Sequence, residues 1–186
     1  MDKLTLGKRF CDVTRCVGGE IVLVENGYRS TLREVTVFGL PADAYAVKLD
    51  PIKVDKLFNC VKEWSFNKHG DYLIVTDNEL VVVEMKSRSD VDEELAHECE
   101  LKFKSDACIF DYCDIVFDRM VGKNPFFKGR TIYYVLFYQG PTAEKRPVSA
   151  RPSEKPPTHN APERFARIAV SNKGRVSFGR MVAGGW

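Results

Sequence analysis

The stretch Thr131-Ile-Tyr-Tyr-Val-Leu-Phe-Tyr138 carries no charge, no glycine and no proline. A run this short and this continuously apolar is best satisfied as a strand covered on both faces, at the centre of a sheet. The fold must therefore supply layers above and below it. The chain has 186 residues, 44% of them hydrophobic. A chain of that length buries close to ~70% of its unfolded surface and needs no disulfide or metal to hold a core. One domain over residues 1–186 is expected. The composition excludes wholesale disorder. No stretch approaches the ~18 apolar residues of a membrane span, and Met1-Asp2-Lys3-Leu4 opens no signal-peptide pattern. The expectation is a soluble, cytoplasmic protein.

Other segments arrange themselves around that strand. Glu20–Glu25 followed by Asn26-Gly27 predicts a strand and turn. Thr31–Phe38, Tyr45–Leu49, Lys53–Phe58, Asp71–Thr76 and Leu80–Met85 read as extended. A helix is expected from Asp90 to about Phe117, with acidic residues in its first turn and a stripe of Leu95, Cys99, Phe103 and Ala107. Arg164–Val170 and Arg175–Phe178 read as strands joined by an Asn172-Lys173-Gly174 hairpin turn. The order points to an α/β (α+β) fold with a mixed central sheet flanked by helices.

The six cysteines form no Cys-x-x-Cys pair, and His69, His97 and His159 lie far apart. His97, Cys99 and Cys108 do not have the spacing of a zinc template. Reduced thiols, several of them in the core, are expected.

The formal net charge of +2 hides a split. Residues 140–186 hold nine of the 28 basic residues and three of the 26 acidic ones. Six of the nine prolines fall in 141–162, a run with almost no large apolar residue. Such a segment makes neither helix nor inner strand, and a mobile basic loop is expected. It reads either as a plain connection or as an arm whose Lys145, Arg146, Arg151 and Lys155 contact phosphates without reading bases.

The chemistry lies in Asp71-Tyr-Leu-Ile-Val-Thr-Asp-Asn-Glu-Leu-Val-Val-Val-Glu-Met-Lys86. A turn at Asp77-Asn78 sets Thr76 against Glu79 and, in the same register, Asp71 against Glu84. Directly opposed side chains share a face, with Cβ atoms about 4.5–5.5 Å apart. Glu84 and Lys86 alternate onto that same face. Two opposed carboxylates repel unless a cation lies between them, and Mg²⁺ or Mn²⁺ suits such a pair. A lysine alongside stabilises charge on a phosphate or assists a metal-bound water. The plainer reading is a strand-end ion pair, with Asp71 following a glycine turn.

Asp71, then Glu84-Met85-Lys86, followed by an acidic-start helix and the strand TIYYVLFYQG, resembles the PD-(D/E)xK nuclease superfamily. The resemblance runs from about Lys53 to Phe178. It implies a restriction-endonuclease-like αβββαβ core, with Asp71 and Glu84 as metal ligands and Lys86 as the catalytic lysine. It also implies that the main-chain carbonyl of Met85 completes the metal site. Members often add an upstream helical Glu, for which Glu34 and Glu63 are the candidates. They also often carry a Gln on the following helix, where this chain offers His97 or Glu98. The expected function is metal-dependent phosphodiester hydrolysis of DNA, in defence, repair or recombination, by a possible homodimer. The alternative is an inactive nuclease-like module binding nucleic acid or protein.

Overall fold

The computed structural model describes residues 12–28, 30–49, 68–122, 125–140 and 160–183. The expected strand at 53–58, Glu63, and the loop cations Lys145, Arg146, Arg151 and Lys155 lie outside them.

The described residues form a mixed α/β structure of two sheets and two helices. Strands β1 (Val13–Arg15), β4 (Tyr45–Lys48), β5 (Tyr72–Val75), β6 (Glu79–Lys86), β7 (Thr131–Tyr138) and β8 (Ala166–Ala169) lie in that order in a six-stranded sheet. Neighbours are antiparallel from β1 to β6; β6–β7 and β7–β8 are parallel. Strands β2 (Glu20–Val24), β3 (Glu34–Phe38) and β9 (Gly174–Ser177) form a second sheet, with β3 in the middle. Helix α1 (Glu93–Val116) continues into a π-turn at Phe117–Val121, and a short α2 (Phe178–Ala183) follows β9.

Alternation along the strands explains the layers. Val81, Val83 and Met85 of β6 face one core with Ile21, Leu23, Val35 and Val37 of the small sheet. Leu80 and Val82 face the other core, under Leu95, Cys99 and Phe103 of α1. In β7, Val135 and Phe137 enter the first core and Tyr134 and Leu136 the second. The central-strand reading is borne out, and these aromatics are core residues. Helices flanking the sheet were expected, and among the described residues α1 covers one side. A sheet covers the other, because β2 and β3 alternate buried with exposed positions and so present one apolar face.

The helix begins at Glu93, three residues later than expected, because the Asp92 side chain accepts from Leu95 N–H at 2.8 Å and caps it. The turn at residues 172–174 forms, but the hairpin does not. Lys173 adopts φ 60°, and Asn172 Oδ1 accepts from the N–H groups of Arg33 and Glu34. That side chain ties the turn to β3, so β9 runs parallel to β3 while β8 stays beside β7. The strand expected at Glu20–Glu25 forms as β2, which pairs antiparallel with β3, and Ser30 N–H donates to Gly27 O at 3.0 Å in the turn that follows it. Ser87 Oγ, just past β6, accepts from Thr31 and Leu32 N–H and draws the β2–β3 connection to the end of β6.

Candidate functional site

The β5–β6 register is the one the turn dictates. Tyr72 pairs with Val83 and Leu73 with Val82, while Thr76 N–H reaches Glu79 O at 2.9 Å. Asp71 lies one residue before β5, and its N–H donates to Val83 O at 2.8 Å. Its parity is that of Leu73 and Val75, so Asp71 and Glu84 share the face under α1. Both are buried, Glu84 completely.

Lys86 follows on the same face, with Nζ 3.0 Å from Glu84 Oε1 and 3.0 Å from Glu98 Oε1 on α1. A second ammonium arrives from the helix: Lys102 Nζ lies 2.5 Å from the same Glu84 oxygen. Lys102 sits one helical turn beyond Glu98 and faces the sheet with it. Three carboxylates and two ammonium groups thus meet between β6 and α1. The Lys86 and Glu98 side chains are 23% and 38% exposed, so the cluster opens to solvent on their side.

Burial sets the electrostatics. It pushes the Asp71 carboxyl well above its ordinary value, and repulsion from Glu84 adds to this. The Lys102 charge and the Met85 N–H, which donates to Asp71 Oδ2 at 2.6 Å, pull the other way without prevailing. For Lys86, burial favours the neutral amine, but Glu84 and Glu98 outweigh it and hold the ammonium above the usual lysine range. Lys86 is therefore held as a positive charge in this arrangement of the cluster. Burial pushes the neighbouring Cys99 thiol up to about 12, which leaves it unreactive.

The donor set fits a divalent ion held mostly by water. Glu84 Oε2 is buried and has no hydrogen-bond partner. A buried acceptor without a donor is the kind of position a hard cation or its water satisfies. Among the described residues no group of three or more His, Cys, Asp or Glu is arranged to hold a metal. Asp71 and Glu84 would be the side-chain ligands of the ion, as in Mg²⁺ sites with one or two carboxylates.

The other expected residues fall elsewhere. Glu34 opens β3, where Val35 and Val37 point inward, so its side chain lies on the outer face of the small sheet. The structure therefore does not bring Glu34 to Asp71. The Met85 side chain packs into the opposite core, which leaves the expectation for its main-chain carbonyl untouched. His97 is exposed and Glu98 half-buried, and Glu98 is the one that reaches the cluster. Cys108 is exposed and Cys99 buried on the same helix, so no zinc trio assembles from His97, Cys99 and Cys108.

Three residues were missed: Lys102, Asp106 and His69. Asp106 is buried on α1, 2.9 Å from His69 Nδ1, and accepts Gly70 N–H at 2.8 Å. It clamps the segment leading into Asp71. The available signal was the helical spacing that puts Asp106 on the buried face with Leu95, Cys99, Phe103 and Phe110. A Cβ on Gly70 would lie 2.8 Å from Val82 Cγ1 and 3.2 Å from Asp106 Oδ2. Gly70→Ala is expected to destabilise the fold by about 1–3 kcal/mol, read as a lower urea midpoint at unchanged m-value. An unchanged midpoint would mean that α1 yields to the methyl group.

Comparison with protein-family models, curated proteins and solved structures finds no match to this chain. Among the described residues no helix is long and apolar enough to cross a membrane.

Proposed function

We propose that the chain is a Mg²⁺- or Mn²⁺-dependent nuclease of the PD-(D/E)xK type acting on DNA. The observation that carries the reading is the opposition of Asp71 and Glu84 across β5–β6, with Lys86 on their face. The antiparallel succession β4-β5-β6, then α1, then β7 parallel to β6, supports it as the later part of an αβββαβ core. The core's leading helix has no counterpart among the described residues.

Asp71 and Glu84 would hold the ion, which when bound supplies Lewis acidity and an activated water. Lys86, kept protonated, offers a fixed charge to a phosphate oxygen, and Glu98 orients it. Gln139 N–H donates to Lys86 O at 3.2 Å, so the chain passes beside Lys86 as it enters the basic segment. We also propose that Lys145, Arg146, Arg151 and Lys155 contact the DNA backbone, on the ground of their charge in the sequence.

A second reading is favoured by one contact. Lys102 on Glu84 makes the cluster nearly self-neutral without any metal. In that case the cluster is a structural ion network in a non-catalytic module that binds nucleic acid or protein. Incubation with DNA and Mg²⁺ or Mn²⁺ separates the two. Cleavage that EDTA stops and Glu84→Gln abolishes is the expected result. Absence of both cleavage and Mn²⁺ binding would leave the structural network as the reading.

A further inference from the structure

We propose that Lys102 is a built-in counter-cation that competes with the divalent ion for Glu84, so that the site loads metal only when Lys102 swings away. The proposal rests on the metal site described above and adds its regulation. Three observations carry it. Lys102 Nζ holds Glu84 Oε1 at 2.5 Å, and its side chain is 14% exposed. Glu84 is fully buried and its other oxygen has no hydrogen-bond partner, so one oxygen is engaged while its twin is left without a donor. Lys102 also has a second berth. Glu98 lies one turn toward the helix N-terminus, the favourable order for a Glu–Lys pair, and is half-buried. Moving the ammonium from Glu84 to Glu98 takes a change of side-chain rotamer and no movement of the helix. Lys86 already touches both carboxylates, so Glu84 keeps one positive neighbour in either arrangement.

In the first arrangement the carboxylate pair is compensated from within, and a hard cation meets a site already holding a charge. In the second, Glu84 faces Asp71 with Lys86 as its one remaining ammonium neighbour. Metal affinity is then reduced by the fraction of molecules in the first arrangement. Breaking a charge-assisted hydrogen bond of this kind corresponds to about a tenfold to hundredfold penalty.

The test is a Mn²⁺ titration of the full chain, with free ion read by electron paramagnetic resonance and protein stability read by thermal melts. Lys102→Gln should bind Mn²⁺ about 10–100-fold more tightly than wild type, and Mn²⁺ should raise its melting temperature by more. Lys104→Gln removes the same charge from the same helix at a residue paired with Glu100 and Glu163; it should change affinity by less than about threefold. Lys102→Arg keeps the charge with a stronger grip on a carboxylate, so it should bind Mn²⁺ more weakly than wild type. That variant decides the matter if Lys102→Gln fails to fold. Equal tightening by Lys104→Gln would reduce the effect to overall charge and overturn the proposal. Weaker or unchanged binding by Lys102→Gln, or unchanged or tighter binding by Lys102→Arg, would also overturn it while leaving the metal site standing. No Mn²⁺ binding by any form would overturn the metal site and the competition together.

Discussion

Lys86→Ala is expected to slow metal-dependent DNA cleavage by about 10²–10³-fold, a loss typical of one well-placed donor to developing charge. Mn²⁺ affinity should not fall, since an ammonium is a point charge and not a ligand. The contrast follows from geometry. Lys86 is part-exposed at the end of β6, while Glu84 beneath it is closed off. Its removal leaves Glu84 with Lys102, so the fold should survive. Lys86→Arg should recover only part of the rate, because the planar fork places its charge differently from an ammonium. Single-turnover cleavage and Mn²⁺ titration measure the two quantities separately. A parallel fall in both would mean that Lys86 organises the carboxylates and takes no part in the chemistry.

The contrast between what could and could not be read beforehand has a physical basis. A two-residue turn pins the register of the hairpin it closes, so Asp77-Asn78 sufficed to set Asp71 against Glu84. Local alternation then placed Lys86. The buried strand at 131–138 was legible because both its faces are apolar. Pairings between distant segments carry no such local mark. The union of β3 with β9 depends on Asn172 reaching back to Arg33 and Glu34. The same limit hid the helical half of the site. Lys102 and Asp106 meet Glu84 and Gly70 through the docking of α1, which periodicity locates only to a face. Glu34 failed as a candidate for the converse reason: its strand joins the other sheet, and its parity turns it outward.

Asp71→Asn is expected to stabilise the protein at neutral pH, by about 1–4 kcal/mol if it behaves as other replacements of incompletely compensated buried charge do. Burial first, and Glu84 second, hold the Asp71 carboxyl well above its ordinary value. The folded state therefore favours the protonated form more than the unfolded chain does. That contribution is fully present below the ordinary aspartate value and is lost as pH rises through the raised folded value. Asparagine is isosteric, stays neutral throughout, and its carbonyl still accepts the Met85 N–H that now reaches Oδ2. The stability difference between variant and wild type should thus be small at acid pH and grow toward neutrality. Urea unfolding of both proteins at several pH values measures it. A gain that does not vary with pH would assign the effect to packing, and a loss at neutral pH would mean that the Lys102 charge compensates Asp71 fully. The same variant should lose Mn²⁺ binding, because an amide oxygen replaces one of only two carboxylates. Stability gained where a ligand is lost is the pattern expected when buried acids are retained for binding and at a cost to the fold.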